Sequence, residues 1–184
     1  MAIYRTQSAA ETEKIGEMLG ENIKDGTVVA MFGDLGTGKT AFTRGFTRGM
    51  GISCDVSSPT FALVNEYRGA RTLYHFDMYR ISGWDDLYST GYFDYLDAGN
   101  CLIIEWSENI EAILPDDCVR VTITKTENPD ERNIEITGAE FLENTCCSFL
   151  GKVCKRCGCR KRQIDKRMLC QQCADPQQNA DADG

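Results

Sequence analysis

The chain has 184 residues, enough for one domain with a small appendage. No stretch approaches the ~20 apolar residues of a membrane span and no signal peptide is recognisable, so we expect a cytoplasmic protein without membrane contact. The net charge of −8 is uneven: residues 1–150 carry 12 Lys and Arg against 24 Asp and Glu, and residues 151–184 carry 8 against 4. This excludes strong nucleic-acid binding by the acidic core alone, although the basic tail is compatible with it.

The first predicted element is an amphipathic helix. Ser8 and Glu11 have the spacing of a capping box, and apolar residues such as Ile15 and Leu19 follow at helical intervals until Gly26. The pattern is typical of a helix that packs on a core, and its start is also a place where a ligand could bind.

Residues 27–40 combine a strand with a glycine-rich turn. Residues 27–32 are apolar and β-branched, which predicts a buried parallel strand. Residues 33–40 read Gly-Asp-Leu-Gly-Thr-Gly-Lys-Thr and fill every fixed position of G-x-x-x-x-G-K-[ST]. Main-chain N–H groups of such a turn surround a phosphate, with Lys39 at the outer phosphates and Thr40 on Mg²⁺. The pattern predicts a nucleotide-binding ATPase.

A helix is expected directly after this turn. Phe42, Phe46 and Met50 recur every fourth residue beside small residues, which favours a helix packed closely on a sheet. We expect it to end at Gly51, because glycine readily adopts the left-handed conformation that ends helices.

Residues 54–61 are rich in hydroxyl groups and contain Pro59, so they predict a loop. Thr60 is the candidate for a hydroxyl that senses Mg²⁺ or a terminal phosphate. A simple Ser-Pro turn accounts for the same pattern.

A hairpin is expected from residues 61–67 and 72–76. Asp77 stands at the end of its second strand, where a carboxylate could position the attacking water or a Mg²⁺-bound water. His75, the one histidine of the chain, lies within that strand. We interpret it as a hydrogen-bonded structural residue rather than a catalyst.

Residues 101–105 form an apolar run that ends in an acid, which predicts a buried strand carrying Glu105 to the carboxyl edge of the sheet. We prefer Glu105 to Asp77 as the second Mg²⁺ ligand because its strand is wholly apolar. Trp106, the next residue, could shield the site.

The rest of the core is predicted more coarsely. Residues 84–97 favour one or two short helices, and residues 119–124 and 133–137 favour an antiparallel hairpin with one solvent-facing side. The isolated cysteines are interpreted as small buried hydrophobic residues, namely Cys54, Cys101 and Cys118.

Four segments in this order resemble the TsaE (YjeE) family of small bacterial ATPases: the glycine-rich turn and residues 57–61, 74–80 and 104–106. The family serves the synthesis of threonylcarbamoyladenosine in tRNA, and the resemblance spans about residues 1–145. Thr37 departs from it, because Ala is usual at this position.

The resemblance implies that Lys39 and Thr40 bind ATP and Mg²⁺, that Glu105 is the second Mg²⁺ contact and that Asp77 is needed for hydrolysis. It also implies that the start of the first helix and Trp106 approach the nucleotide, and that TsaB and TsaD are partners. The expected nucleotide contacts are Thr12, Asp34, Gly36, Thr37, Gly38, Lys39, Thr40, Ala41 and Trp106, and the expected catalytic residues are Asp77, Lys39 and Thr60.

The C-terminal tail contains two C-x₂-C pairs separated by twelve residues, which is the spacing of a zinc ribbon. The predicted Zn²⁺ ligands are Cys154, Cys157, Cys170 and Cys173, and the further thiols that could take part are Cys146, Cys147 and Cys159. An unstructured reduced tail or disulfides are the alternatives. The basic residues around the thiolates favour either tRNA phosphate contacts or a solvated face.

We therefore predict an α/β P-loop NTPase with a mixed central sheet flanked by helices over residues 1–148, a zinc-ribbon-like segment over 149–175 and a disordered tail over 176–184. The predicted function is a Mg²⁺-dependent ATPase, weak alone, that acts with TsaB and TsaD in tRNA threonylcarbamoyladenosine modification. The alternatives are a small-molecule kinase and a binding module that uses nucleotide hydrolysis as a timer.

Overall fold

The computed structural model describes residues 1–60 and 62–139. Phe61, the zinc-ribbon-like segment with its four predicted ligands and the predicted disordered tail lie outside the described residues. Within the described ranges, no helix is long and apolar enough to cross a membrane. The elements are β1 Ala2–Thr6, α1 Ala9–Asn22, β2 Val28–Phe32, α2 Lys39–Gly49, β3 Val64–Arg68, β4 Thr72–Asp77, α3 Trp84–Ser89, α4 Tyr92–Asp97, β5 Cys101–Glu105, a 3₁₀ helix Ser107–Ile113, β6 Val119–Lys125 and β7 Arg132–Thr137.

The described strands form one mixed sheet in the order β1-β7-β6-β2-β5-β4-β3. The central strands β6, β2, β5 and β4 run parallel, and the outer pairs are antiparallel. The carboxyl ends of β2, β4 and β5 therefore meet at one edge, where Asp77 and Glu105 are register partners. The predicted mixed α/β sheet is confirmed.

Each face of the sheet has its own hydrophobic core. On one face α1 and α2 bury residues such as Leu19 and Phe46. On the other face α3, α4 and the 3₁₀ helix bury residues such as Leu87, Tyr92 and Ile110. Because both faces are covered, the middle strands β2 and β5 are buried along almost their whole length and are apolar apart from Glu105.

Helices α1 and α2 approach so closely that glycine is required where they meet. A Cβ atom on Gly45 would lie 1.8 Å from the carbonyl oxygen of Glu13, and one on Gly16 would lie 2.2 Å from that of Phe42. The small residues Gly45 and Gly49 of α2 face α1. The large residues Phe42 and Phe46 enter the core, in agreement with the predicted packing of this helix.

Most other predicted elements are confirmed. Ser8 caps α1 by accepting the N–H of Glu11, and the two short helices and both hairpins are present. Strand β1 was not predicted, and β3 begins at Val64 rather than at residue 61. Cys101 and Cys118 are buried as predicted, but the prediction for Cys54 is wrong, because this cysteine is exposed.

Candidate nucleotide site

A cleft of about 470 Å³ opens at the carboxyl edge of the sheet; we call it the main cleft. Its position follows from the parallel strands, whose carboxyl ends leave a crevice where they meet the following loops. It is lined by Leu35, Gly36, Thr37, Gly38, Lys39, Thr40, Ser58, Thr60, Asp77, Tyr79, Glu105 and Trp106.

The glycine-rich turn forms one wall of the main cleft with its main chain. Gly33 and Gly38 have φ angles of 131° and 104°, which L side chains rarely adopt. At Gly33 a Cβ atom would also lie 2.2 Å from the carbonyl oxygen of Ile123. Thr37 is buried, and its hydroxyl donates to the carbonyl of Asp34 at 3.0 Å, so this departure from the family pattern adds a bond within the turn.

Two cations from distant strands hold the carbonyl groups of this turn. Lys125 Nζ donates to the carbonyl of Leu35 at 2.8 Å. The guanidinium of Arg132 donates to the carbonyls of Thr37 at 2.9 Å and Gly36 at 3.3 Å. These bonds satisfy three successive carbonyls and so fix the path of the turn.

The Lys39 ammonium lies at the centre of the turn. It donates to the carbonyls of Gly33 and Asp34, and it sits 3.9 Å from the ring centre of Trp106. Desolvation by burial lowers the pKa of Lys39, although nearby acids, led by Glu105, oppose that shift. A phosphate group in the cleft would give this partly desolvated cation a negatively charged partner.

The side chains of Thr40 and Glu105 meet at the floor of the main cleft. The Thr40 hydroxyl donates to the Glu105 carboxylate, with distances of 3.0 Å to Oε1 and 3.3 Å to Oε2. Glu105 is 3% exposed. Hydroxyl and carboxylate oxygens are the hard ligands that Mg²⁺ takes together with phosphate oxygens, so the two residues fit a magnesium site.

Asp77 is fixed by hydroxyl groups of the loop before β3. Ser58 Oγ and Thr60 Oγ1 each donate to Asp77 Oδ2 at 2.6 Å, and the N–H of Tyr79 donates to Oδ1 at 3.0 Å. Asp77 is 2% exposed. Thr60 thus reaches the main cleft, but its hydroxyl contacts Asp77 and not the pair formed by Thr40 and Glu105.

Trp106 covers Lys39 with its ring, which also packs against Tyr79 at a centroid distance of 4.8 Å. Its φ angle is 60°, a left-handed conformation that is uncommon for a bulky residue. The backbone therefore carries strain at the residue that closes the site.

A smaller hollow of about 180 Å³ lies on the other side of the turn; we call it the side hollow. Thr37 and Gly38 line both cavities, so the two are adjacent. Thr12 and Ala41 belong to the side hollow. It is lined by Ser8, Ala9, Thr12, Thr37, Gly38, Ala41, Pro129, Asp130 and Arg132.

The structure gathers nearly all predicted site residues around these two cavities. The exception is Asp34, whose side chain is exposed and which contributes its carbonyl to Lys39. No group of three or more His, Cys, Asp or Glu within residues 1–60 and 62–139 is placed to hold a metal ion, and the predicted zinc ligands lie outside these ranges.

Several residues of the site were not predicted from sequence, among them Ser58, Tyr79, Lys125 and Arg132. Ser58 lies in the loop at residues 54–61, whose many hydroxyl groups had already indicated a part of the site. Lys125 directly follows the strand predicted at residues 119–124, and no local pattern connects it with the turn. Arg132 carries no local signal, because its contact with the turn depends on the sheet order.

These features together define a phosphate-loop protein of the α/β class. Residues 6–134 match the family described as "Threonylcarbamoyl adenosine biosynthesis protein TsaE". The chain therefore belongs to the TsaE family.

Individual relatives agree with this assignment. The tRNA threonylcarbamoyladenosine biosynthesis protein TsaE of Bacillus subtilis is 36% identical over 150 residues, 81% of this chain and 93% of that protein. The protein of the same name from Haemophilus influenzae is 43% identical over 110 residues, 59% of this chain and 68% of that protein. The crystal structure of Bacillus subtilis YdiB is similar with a TM-score of 0.63 at 33% identity, covering 79% of this chain and 93% of that one.

Proposed function

We propose that this protein is a Mg²⁺-dependent ATPase that serves threonylcarbamoyladenosine biosynthesis in tRNA. The observation that carries the proposal is the 3.0 Å contact between the Thr40 hydroxyl and the Glu105 carboxylate beside a complete phosphate-binding turn. Membership of the TsaE family supplies the pathway. ATP and tRNA are both found in the cytoplasm, where such a protein would act.

The two cavities suggest how the nucleotide binds. The phosphates would occupy the main cleft, with Lys39 as their cation, and the base would occupy the side hollow beside Thr12 and Ala41. Thr40 and Glu105 would hold Mg²⁺. The ion supplies charge neutralisation on the phosphate oxygens when it is bound.

Asp77 is the candidate for orienting the attacking water. Its carboxylate lies at the carboxyl end of β4, next to the Glu105 position on β5. Ser58 and Thr60 hold its Oδ2 atom, so the protein's own hydroxyl groups fix its orientation. A fixed carboxylate can place a water in line with the terminal phosphate without reorganising during the reaction.

Exposed aromatic side chains support a protein partner. Trp84 is 62% exposed and Tyr88 is 69% exposed, although both lie on a helix whose neighbour Leu87 is buried. Aromatic residues of this kind are enriched in interfaces between proteins. We propose TsaB and TsaD relatives as the partners, and tRNA as an indirect partner through the basic tail.

An ATP turnover assay tests the proposal. We expect slow turnover by the chain alone, faster turnover after addition of TsaB, TsaD and tRNA, and none in Lys39→Ala. A small-molecule kinase would instead transfer phosphate to an acceptor, and a binding module that uses hydrolysis as a timer would hydrolyse ATP slowly, with no rise when TsaB, TsaD and tRNA are added. Unchanged ATP affinity of Lys39→Ala in calorimetry would contradict the assigned phosphate site.

The cysteine-rich tail is a separate proposal that rests on spacing alone, since its residues lie outside the described ranges. Its two thiolate pairs would hold one Zn²⁺ ion. Elemental analysis of the purified chain should find about one zinc per molecule, and Cys170→Ser should remove it. A zinc-free preparation that keeps four reactive tail thiols would contradict the proposal.

A further inference from the structure

The imidazole of His75 is buried between the proposed magnesium acid and the hydroxyl loop. We infer that His75 is a positioning residue that fixes the carboxylate of Glu105 relative to Thr40. Tyr67 holds the imidazole in place, because its hydroxyl contacts both His75 and the main-chain carbonyl of Ser57. The inference rests on the proposed function, since it concerns the Mg²⁺ side of the ATP site.

A continuous chain of hydrogen bonds connects these groups. His75 Nε2 lies 3.0 Å from Glu105 Oε1, and His75 Nδ1 lies 3.3 Å from the Tyr67 hydroxyl. The Tyr67 hydroxyl is 3.1 Å from the carbonyl oxygen of Ser57. Asn65 Nδ2 donates to the same carbonyl and to the Tyr67 hydroxyl, both at 3.2 Å, and so secures the far end.

The chemistry of the groups assigns the protons along this chain. An ionised carboxylate can only accept hydrogen bonds, so His75 Nε2 carries a proton and donates a hydrogen bond to Glu105. In a neutral imidazole Nδ1 is then an acceptor, and the Tyr67 hydroxyl is the donor that faces it. The single hydroxyl proton of Tyr67 thus has two acceptors, His75 Nδ1 and the Ser57 carbonyl. Through these contacts Tyr67 holds the imidazole of His75 from the side opposite Glu105.

The position of the contact on Glu105 gives the imidazole its role. Oε1 receives both the Thr40 hydroxyl and His75 Nε2, each at 3.0 Å. The Thr40 hydroxyl can turn a lone pair to a cation while it still donates its single proton to the carboxylate. One donor alone does not fix the rotation of a carboxylate, and His75 Nε2 is the second donor to Glu105 among the described residues. Outer hydrogen bonds of this kind orient metal-binding groups and typically contribute 10- to 100-fold to metal affinity.

The test compares the affinity for a non-hydrolysable ATP analogue in EDTA with that in excess Mg²⁺, measured by calorimetry on the full chain. The ratio of the two dissociation constants is the Mg²⁺ enhancement. We expect it to fall about tenfold or more in His75→Leu and about fivefold in Tyr67→Phe. The affinity in EDTA should stay within about twofold, because no phosphate contact is changed.

Two further variants separate positioning from simple structural support. His75→Gln places an amide N–H near the position of Nε2, so it should recover part of the enhancement lost in His75→Leu. Tyr92→Phe is the matched control for Tyr67→Phe: it also removes one buried tyrosine hydroxyl, but on the opposite face of the sheet, and it should keep the full enhancement.

The outcomes are distinct. Normal enhancement in both Tyr67→Phe and His75→Leu would overturn the role of His75 while leaving the ATP site intact. An equal loss of affinity with and without Mg²⁺ would also overturn it, because that result indicates general damage. If the wild-type chain bound no nucleotide in either condition, the proposed function would fail and this inference with it.

Discussion

The two walls of the main cleft are built from different groups of atoms, main-chain atoms on one side and side chains on the other. One wall is main chain: the glycine-rich turn, whose carbonyls are held by Lys125 and Arg132. The other wall is side chain: the carboxylates of Asp77 and Glu105, held by hydroxyls and an imidazole. Substitutions should therefore act through packing and loop geometry on the first wall, and through charge and hydrogen bonding on the second.

The largest expected effect is on the side-chain wall. Asp77→Asn should lower ATP turnover about 100-fold and leave ATP affinity near that of the wild type, because the amide lacks the charge that orients the water. The fold should tolerate it, since the amide oxygen can accept from Tyr79 and the amide N–H₂ can donate to the two hydroxyls.

Steady-state turnover with the partner proteins and calorimetry give the two readouts. Asp97→Asn, an exposed charge removal on α4, is the control and should change neither. If Asp77→Asn hydrolyses ATP at the wild-type rate, Asp77 has no catalytic role.

Behind the main-chain wall, the strongest effect should come from α2, the helix that follows the turn. Gly45→Ala places a methyl group 1.8 Å from the carbonyl oxygen of Glu13, so α2 must shift away from α1. We expect the free energy of unfolding to fall by about 3 kcal/mol, measured by urea denaturation.

Gly83→Ala is the matched control for that change. Nothing lies within 4 Å of its added Cβ atom, and its φ angle of −166° suits any residue. It should change stability by less than about 1 kcal/mol. Equal effects of the two substitutions would contradict the close packing of the helices.

A smaller effect is expected where the main-chain wall depends on a side chain. Arg132→Gln removes charged hydrogen bonds to the carbonyls of Gly36 and Thr37, so the turn should loosen and ATP affinity should fall about tenfold. Arg68→Gln removes an exposed arginine that pairs with Glu66 and should leave affinity unchanged in the same calorimetric titration. Equal affinities would show that the turn holds its shape without Arg132.

The smallest effect is expected outside both walls. The Tyr92 hydroxyl is buried and has no hydrogen-bond partner among the described residues, and burial raises the pKa of Tyr92 to about 12. The unfolded chain loses this proton near pH 10, so the stability that Tyr92 contributes declines as the pH rises from about 10 to about 12.

Tyr92→Phe should remove that part of the alkaline decline, as followed by urea denaturation at several pH values. At pH 7 it should change the free energy of unfolding by less than about 1 kcal/mol, because no hydrogen bond is lost. A large loss of stability at pH 7 would reveal a partner for the hydroxyl.

The sequence predicts the main-chain wall well because its requirements are local. Gly33, Gly38 and Lys39 must stand at fixed spacing for a turn to surround a phosphate, and the strand and helix on either side are read from adjacent residues. The ends of β4 and β5 were also predicted, because β4 was expected as the second strand of a hairpin and β5 as a buried apolar run. The contact between Thr40 and Glu105 agrees with the geometry expected of them.

What could not be predicted depends on strand order and register. Lys125 reaches the Leu35 carbonyl across 90 residues because β6 lies beside β2. The link from His75 to Tyr67 requires the β3–β4 register, and the orientation of the small residues of α2 requires the position of α1. Strand β1 was missed because a short strand at the sheet edge leaves little signal before a strong helix start.

Two requirements conflict at Trp106: its left-handed backbone favours glycine, and its contact with Lys39 requires an aromatic ring. A glycine there would relieve the unfavourable φ angle and relax the junction between β5 and the 3₁₀ helix. The same change would uncover the Lys39 ammonium and return it to water. The chain thus keeps a residue that its own backbone disfavours, and selection for a more heat-resistant variant at this position would work against the aromatic cover over Lys39.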